Sequence, residues 1–429
     1  MKLAKLSLAA IVVAGLTTSS FAADTLADAF SKGKIKGELK AWYFDKEVDN
    51  TSSTDDADIF VTGVMLGYVT DKLNGFNLGA TVQSSFAPFA DDEAKSVFKS
   101  DMYGSGAVLS EAYLVYSIGK TTAKIGRQFI ATPLVNGSGS RVIKESFEGA
   151  TIVNTDIPAT TLIAGYVDKF QGRTSTMMGA ANGDAPKFEN RAIFLGVSGT
   201  ATKVFDDAYT IAVINKSIPN LTLTGQYAWV GNVDNKSDVD VYFAEGKYVL
   251  PMKGFKLGFD VNYRGSLADA TLGKWDGTYT AGRISISELS GFGAAFTAAT
   301  TSSDDAVIAG MGNGASTYTA SLVRASSATL TANTDSYKID LTYDFSKLGV
   351  NGLKGILQHA WTDQGSMGTA STADYTSYAA GLDYAVPSFK GLIFGLQYES
   401  QEKETSNASG VVTSAIDTNE LRFRATYKF

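Results

Sequence analysis

No cysteine occurs in the 429 residues, histidine occurs once, and there are only seven prolines. Without thiols the chain can hold neither a disulfide framework nor a thiolate metal site. With His359 as its single histidine it has little to offer acid–base catalysis of the usual kind. A basic excess is missing too: 37 Lys and Arg stand against 44 Asp and Glu, a formal charge of −7, where a nucleic-acid footprint would be positive. Long apolar runs are also absent. The apolar stretch from Leu6 to Leu16 falls well short of the roughly 20 residues that a spanning helix needs. It lies between Lys2 and Lys5 on one side and Ser20-Phe21-Ala22 on the other, the pattern of a secretory signal peptide cleaved after Ala22. Residues 1–22 are therefore expected to be removed, and losing two lysines takes the charge from −7 to −9.

What is present is glycine, tyrosine and phenylalanine (43, 20 and 24 residues) set in an alternating pattern. "KIKGELKAWYF" puts Ile35, Gly37, Leu39, Ala41 and Tyr43 on one side and Lys34, Lys36, Glu38, Lys40 and Trp42 on the other. The closing "LRFRATYKF" sets Leu421, Phe423, Ala425, Tyr427 and Phe429 against Arg422, Arg424, Thr426 and Lys428. Successive side chains of a strand point to opposite faces, so each stretch is a strand with one apolar and one polar face. Similar segments of ten to thirteen residues recur along the chain. Strands that cross a bilayer take about 9–11 residues, against about 5–6 in a globular sheet.

The pattern predicts strands at 34–45, 58–70, 75–87, 108–118, 121–130, 147–156, 160–169, 205–216, 220–231, 239–249, 254–265, 276–287, 292–301, 335–345, 353–363, 375–386, 391–401 and 417–429. Connections alternate between short turns, such as "DKLN", "SIPN" and "PSFKG", and long polar stretches, such as 302–334. Short periplasmic turns, long external loops and an even strand number are the signature of a bacterial outer-membrane barrel. The fold class is thus an all-β transmembrane antiparallel barrel of eighteen strands, with sixteen or twenty as alternatives, spanning 23–429 with both termini periplasmic. Segment 190–199 also alternates. Because "SIPN" must face the periplasm, that segment belongs to a loop or to an additional hairpin.

Closing a barrel requires the first and last strands to pair, since an open edge in hydrocarbon leaves backbone groups unsatisfied. Lys36, Lys40, Arg422 and Arg424 then share the lumen side of the closing strands, and Lys124 shares its face with Gln128. Tyr43, Phe86, Tyr116, Trp361, Tyr427 and Phe429 fall at strand ends, where aromatic girdles form. Tyr427 and Phe429 further resemble the terminal signal read by the outer-membrane assembly machinery. Between two strands, "ATPLVNGSGSRVIKES" carries Arg141, Lys144 and Glu145 among small residues, as a loop folded into the lumen requires; opposed charges across a narrow pore select solutes at close quarters. The loop is expected to face the basic wall across the lumen, and the wall would attract carboxylates. No cofactor is implied. The acidic clusters Asp55-Asp56-Asp58, Asp91-Asp92-Glu93, Asp234 with Asp238 and Asp240, and Asp304-Asp305 admit Ca²⁺ bridging to lipopolysaccharide, although solvation of loop tips explains them more simply.

Residues 126–166 resemble the third-loop region of OprD-type porins and the related major outer-membrane porins of epsilonproteobacteria. The resemblance rests on Gly126 and Gln128, the Pro133-led loop, Ser140-Arg141 and Phe147-Glu148-Gly149, together with the signal peptide, the "GKIKGELKAWYF" start and Phe429. It implies an eighteen-strand homotrimeric porin whose third loop, 131–146, narrows a passive water-filled channel for ions and small hydrophilic solutes. An adhesin using the Ser/Thr/Gly-rich 302–334 loop, or a barrel hydrolase, is the rival reading. In the hydrolase reading His359 would matter, but it shares the lipid-side face of Leu357 and Trp361. If Phe429 closes the barrel, deleting it should sharply lower the yield of protein showing the heat-dependent gel mobility of a closed barrel. Lys428→Ala should not. Equal yields from the deletion and the parent would contradict an outer-membrane barrel of this type.

Overall fold

The computed structural model describes residues 23–50, 54–181, 183–196, 202–323, 327–366 and 368–429; segment 1–22, expected to be a signal peptide, lies outside them. Eighteen strands form the wall: β1 Lys34–Asn50, β2 Thr54–Val69, β3 Phe76–Phe86, β4 Gly106–Ile118, β5 Thr121–Gln128, β6 Ser146–Asn154, β7 Thr160–Gln171, β8 Ala208–Asn215 and β9 Leu221–Val233, followed by β10 Ser237–Met252, β11 Phe255–Ala268, β12 Thr278–Leu289, β13 Phe292–Thr301, β14 Thr334–Asp344, β15 Leu353–Gln364, β16 Thr372–Ala385, β17 Leu392–Ser406 and β18 Val412–Lys428. Each pairs antiparallel with the next. The ring closes where β18 pairs with β1, from Glu38↔Lys428 to Asn50↔Ile416. Phe429 extends this seam, its N–H donating to Gly37 O at 3.1 Å and its O accepting from Gly37 N at 2.9 Å. No wall strand has an open edge, so the backbone can sit in hydrocarbon.

The eighteen expected segments are the eighteen observed strands, with ends that differ by a few residues. Of segment 190–199, residues 190–196 lie in the loop between β7 and β8, and 197–199 lie outside the described residues. Its Arg191–Leu195 pairs with Thr202–Val204 and Gly310–Met311 in a small separate sheet, so it adds nothing to the wall.

Alternation sorts the side chains as two different solvents demand. Leu39, Leu66, Ile125, Ile211, Val261, Leu357 and Phe423 point outward and are exposed, whereas Lys40, Trp42, Phe44, Gln83, Glu111, Gln226 and Arg422 point inward and are buried. The girdle aromatics share the outward face, with Tyr427 and Phe429 rings 5.9 Å apart. His359 stacks between Trp361 at 4.7 Å and Tyr378 at 4.4 Å on the same face. It is a packing element there, as its strand position indicates.

Short turns lie at one end. Between β2 and β3, Asn74 and Gly75 both take positive φ (51° and 89°), the conformation a two-residue hairpin with strand-matched twist requires. At the other end the long loops do not extend into solvent as polar stretches. The second loop, 87–105, contains helix α1 Asp92–Phe98, started by Asp91 accepting from Ala94 N at 2.8 Å. Its Ala94, Phe98 and Met102 are buried against Trp42, Phe44, Ile59 and Val61. The stretch 302–334, expected outside, turns inward: Val307, Ile308, Ala309 and Met311 are buried within the barrel. Its apolar residues find their cover against the lumen wall, while Asp304 at its start remains exposed.

This topology puts Asp92 and Asp304 outside and Asn351 in the periplasm. A membrane-impermeant maleimide on intact cells should label Asp92→Cys and Asp304→Cys but spare Asn351→Cys. Labelling of Asn351→Cys would reverse the orientation.

Candidate constriction site

The third loop, 129–145, crosses the lumen. At one end it is held by the wall strands β1 to β3. Lys40 Nζ donates to Val142 O at 2.8 Å, and Gln83 both donates to Lys144 O and accepts from Lys144 N, each at 2.9 Å. Val142 lies so near Gly63 that a Cβ there would come 2.3 Å from Val142 Cγ1; only glycine lets the loop approach. At the other end, half the ring away, Gln226 of β9 accepts from Leu134 N at 2.9 Å and donates to Thr132 Oγ1 at 2.8 Å. These bonds matter because a buried backbone group without a partner costs about 1–3 kcal/mol.

Two further loops join it. In the seventh loop, 302–333, Met311 N donates to Leu134 O at 2.7 Å and Met311 O accepts from Asn136 N at 2.9 Å. Arg264 of β11 donates to Ala309 O at 2.7 Å and Ser316 O at 2.8 Å. Tyr318 donates to Glu245 at 2.6 Å while Arg283 and Lys247 lie 4.6 and 5.6 Å from its ring centre. In the fourth loop, 172–207, Ile193 O accepts from Gly312 N at 2.9 Å. All three loops meet at Glu145. Its carboxylate accepts from Ser138 N at 2.9 Å, from Asn313 N at 2.9 Å and from Asn313 Nδ2 at 2.5 Å, and pairs with Arg173 at 3.0 Å.

The charged residues named from the sequence fall into two groups on one side of the lumen. In the first, Arg141 pairs with Asp101 at 2.9 Å, Lys144 with Glu38 at 2.8 Å, Lys40 with Glu38 at 3.4 Å, and Arg422 with Glu420 at 2.6 Å. The Arg141 and Arg422 guanidinium groups lie 5.5 and 4.9 Å from the Phe44 ring centre, and Arg424 lies 5.4 Å from that of Trp42. Arg424 donates to Gln397 and makes no ion pair among the described residues. In the second, Lys36 and Lys124 share Glu111 at 3.9 and 3.5 Å, with Lys124 3.7 Å from the Tyr113 ring centre.

Three expectations need correcting. The third-loop charges do not face the basic wall across the pore; Lys40 and Gln83 draw the loop onto that wall, so Arg141 and Lys144 sit beside Arg422 and Lys40. Glu145 is no pore-facing charge, since its side chain is fully buried at the loop junction. Lys36 joins Lys124 around Glu111 rather than the group of Lys40, Arg422 and Arg424.

Burial alone would raise the carboxyl of Asp101, yet Arg141, Arg173 and Arg422 hold it below its ordinary value. A depressed carboxylate stabilises the fold above its unfolded-state value and loses that contribution only as pH falls through the folded one. The Arg141 contact therefore persists through neutral pH. Asp101, Arg173 and Asn313 escaped the sequence reading because no alternation marks loop residues, and Gln226 because its strand position does not show the loop it holds, whose Leu134 is 92 residues away. The acidic clusters serve local structure: Asp92 pairs with Lys95 at 3.0 Å, Asp234 with Lys203 at 3.2 Å, and Asp238 accepts from Asn232 N at 2.9 Å. Among the described residues no three His, Cys, Asp or Glu are placed to hold a metal.

Comparison with known proteins follows the same lines. No curated protein matches the chain. Among solved structures it resembles OpdK of Pseudomonas aeruginosa bound to vanillate (TM-score 0.74, 15% identity, 93% of this chain and 99% of that one). It also resembles a BenF-like porin of Pseudomonas fluorescens Pf-5 (TM-score 0.75, 14% identity, 94% and 99%) and OccAB3 of Acinetobacter baumannii (TM-score 0.75, 16% identity, 93% and 99%). At such identities these likenesses speak for the barrel fold. The sequence itself matches the model of the OprD family of outer membrane porins over residues 112–429. With the closed eighteen-strand wall and the inward third loop in place, this chain belongs to the OprD family of outer membrane porins.

Proposed function

We propose that this porin is a passive channel favouring small carboxylates, and that the basic residues beside the third loop make it so. The observation that carries the reading is Arg424: an inward cation that makes no close ion pair among the described residues, with Asp383 and Glu420 acting on it only from beyond contact, held over Trp42 next to Arg141 and Arg422. Arg422 and Lys40 are buried and committed to Glu420, Glu38 and Val142 O, so they set the field rather than meet the solute. Lys144, partly exposed beside Glu38, and the half-exposed Lys36 extend the path on either side. Vanillate in the OpdK structure is a carboxylate of this class.

Around this core stand narrower readings. The third loop narrows the pore, the first 22 residues are a cleaved export signal, Tyr427 and Phe429 are read by the assembly machinery, and the barrels assemble as homotrimers in contact with lipopolysaccharide. No enzymatic role is assigned, the sole histidine being stacked on the outward face.

Unit charges 4 Å apart interact by about 1 kcal/mol in bulk water and about 4 kcal/mol at an effective dielectric of 20. Arg424→Glu should therefore move the reversal potential in a salt gradient toward cations and slow uptake of a small carboxylate such as benzoate. The shift should fade between about 0.1 M and 1 M salt as the Debye length falls from about 10 Å to about 3 Å. Arg422→Glu, by contrast, places two carboxylates together in a buried site and should chiefly lower assembled yield. An unchanged reversal potential at low salt in assembled Arg424→Glu barrels would overturn the proposal.

A further inference from the structure

On the outward face a groove of about 510 Å³ runs across β13 to β18. Register explains it. Along one row of outward side chains Tyr343 pairs with Gly355, Gly355 with Leu382 and Leu382 with Leu396; along the next, Leu357 pairs with Ala380 and Ala380 with Tyr398. Ala380 thus leaves a trough between large apolar neighbours, while the Phe345 ring and Leu382 close over Gly355, where a Cβ would meet them at 3.1 and 3.3 Å. A smaller groove lies beside Phe30 and Tyr68.

The groove has a direction. It ends at the periplasmic turns, where Phe292 and Phe345 line it. Phe345 opens the 3₁₀ turn Phe345–Leu348, so Lys347 stands two residues from a side chain that lines the end of the trough. A Cβ on Gly291 would lie 2.8 Å from Lys347 Cγ, so the lysine stem rests on the turn that leads into Phe292. Lys347 is exposed and makes no ion pair among the described residues. The carboxylates nearby are engaged: Asp344 accepts from Ser346 N at 3.1 Å and pairs with Lys354 at 3.7 Å, and Glu288 takes Lys256 at 2.7 Å. Leu348 beside it is exposed, as are Phe389 and Lys390 in the neighbouring turn.

An apolar trough within the hydrocarbon belt, closed at the headgroup level by an uncommitted cation, matches one chemistry. We propose that it binds an anionic phospholipid of the periplasmic leaflet. An acyl chain lies over Ala380 and along Phe345, and the phosphate meets Lys347. Lysine stems suit this place because they follow apolar surface while the ammonium reaches the polar layer. A lysine near an anionic surface favours anionic over neutral headgroups by about fivefold.

Native mass spectrometry of the detergent-purified protein, titrated with phosphatidylglycerol or phosphatidylcholine of identical chains, tests this. The parent should retain phosphatidylglycerol about fivefold better. Lys347→Glu should abolish that preference while leaving chain binding. Ala380→Trp, an outward substitution that fills the trough, should remove retention of both lipids. Heat-dependent gel mobility confirms that each variant is a closed barrel. Equal retention of the two lipids by the parent, or undiminished retention by Ala380→Trp, would overturn the proposal. So would loss of a defined oligomer on Ala380→Trp with no change in lipid retention, because a second copy would then occupy the trough.

Discussion

Glu145 is a carboxylate without exposed surface in the middle of a water-filled barrel, and the arrangement of the loops turns on it. It ties the third loop to itself through Ser138, to the fourth loop through Arg173 and to the seventh through Asn313. Taking a charge out of water is expensive unless hydrogen bonds and an opposite charge replace the water. Here four contacts do so, and the three loops they come from are thereby held together. The same logic runs outward from this point. Arg264 satisfies the seventh-loop carbonyls, Gln226 and Gln83 satisfy the two ends of the third loop, and Tyr318 docks between Arg283 and Lys247.

The wall obeys a different constraint. Hydrocarbon outside and water inside force every backbone group into the ladder and every second side chain to be apolar. A chain built this way keeps its polar residues on the inner face, where they are free to anchor loops or to meet solutes. Lys40 does the first, holding Val142, and in the proposed function Arg424 does the second. The division of labour between neighbouring cations follows from what each touches, since the strand pattern treats them alike.

That is also why the sequence was informative about the wall and silent about the interior. Two solvents on opposite faces stamp a period of two on each strand, and all eighteen strands were legible from it; for Arg191–Leu195 the pattern left a loop or an additional hairpin open, and the separate small sheet decides for the loop. The seventh loop was misread as an external stretch because Ser, Thr, Ala and Gly look solvated on their own. Its burial depends on wall residues such as Arg264, far from it in sequence. Glu145 was legible as a charge in the constriction loop, but its partner Asn313 stands 168 residues away, and nothing local distinguishes a pore charge from a clamp. The third loop's end Val142 could be placed against the wall only once Gly63 was known to face it.

The most direct test of the clamp is the single-channel conductance of Glu145→Ala in a planar bilayer. Removing one partner of a buried pair leaves the other uncompensated, at a cost of about 3–5 kcal/mol. That cost falls on loop contacts and leaves the eighteen-strand ladder untouched. The account predicts barrels that still show heat-dependent mobility but open to larger, noisier steps than the parent. Parental conductance with quiet, uniform steps would contradict it, because the loops would then hold their place in the lumen without Glu145.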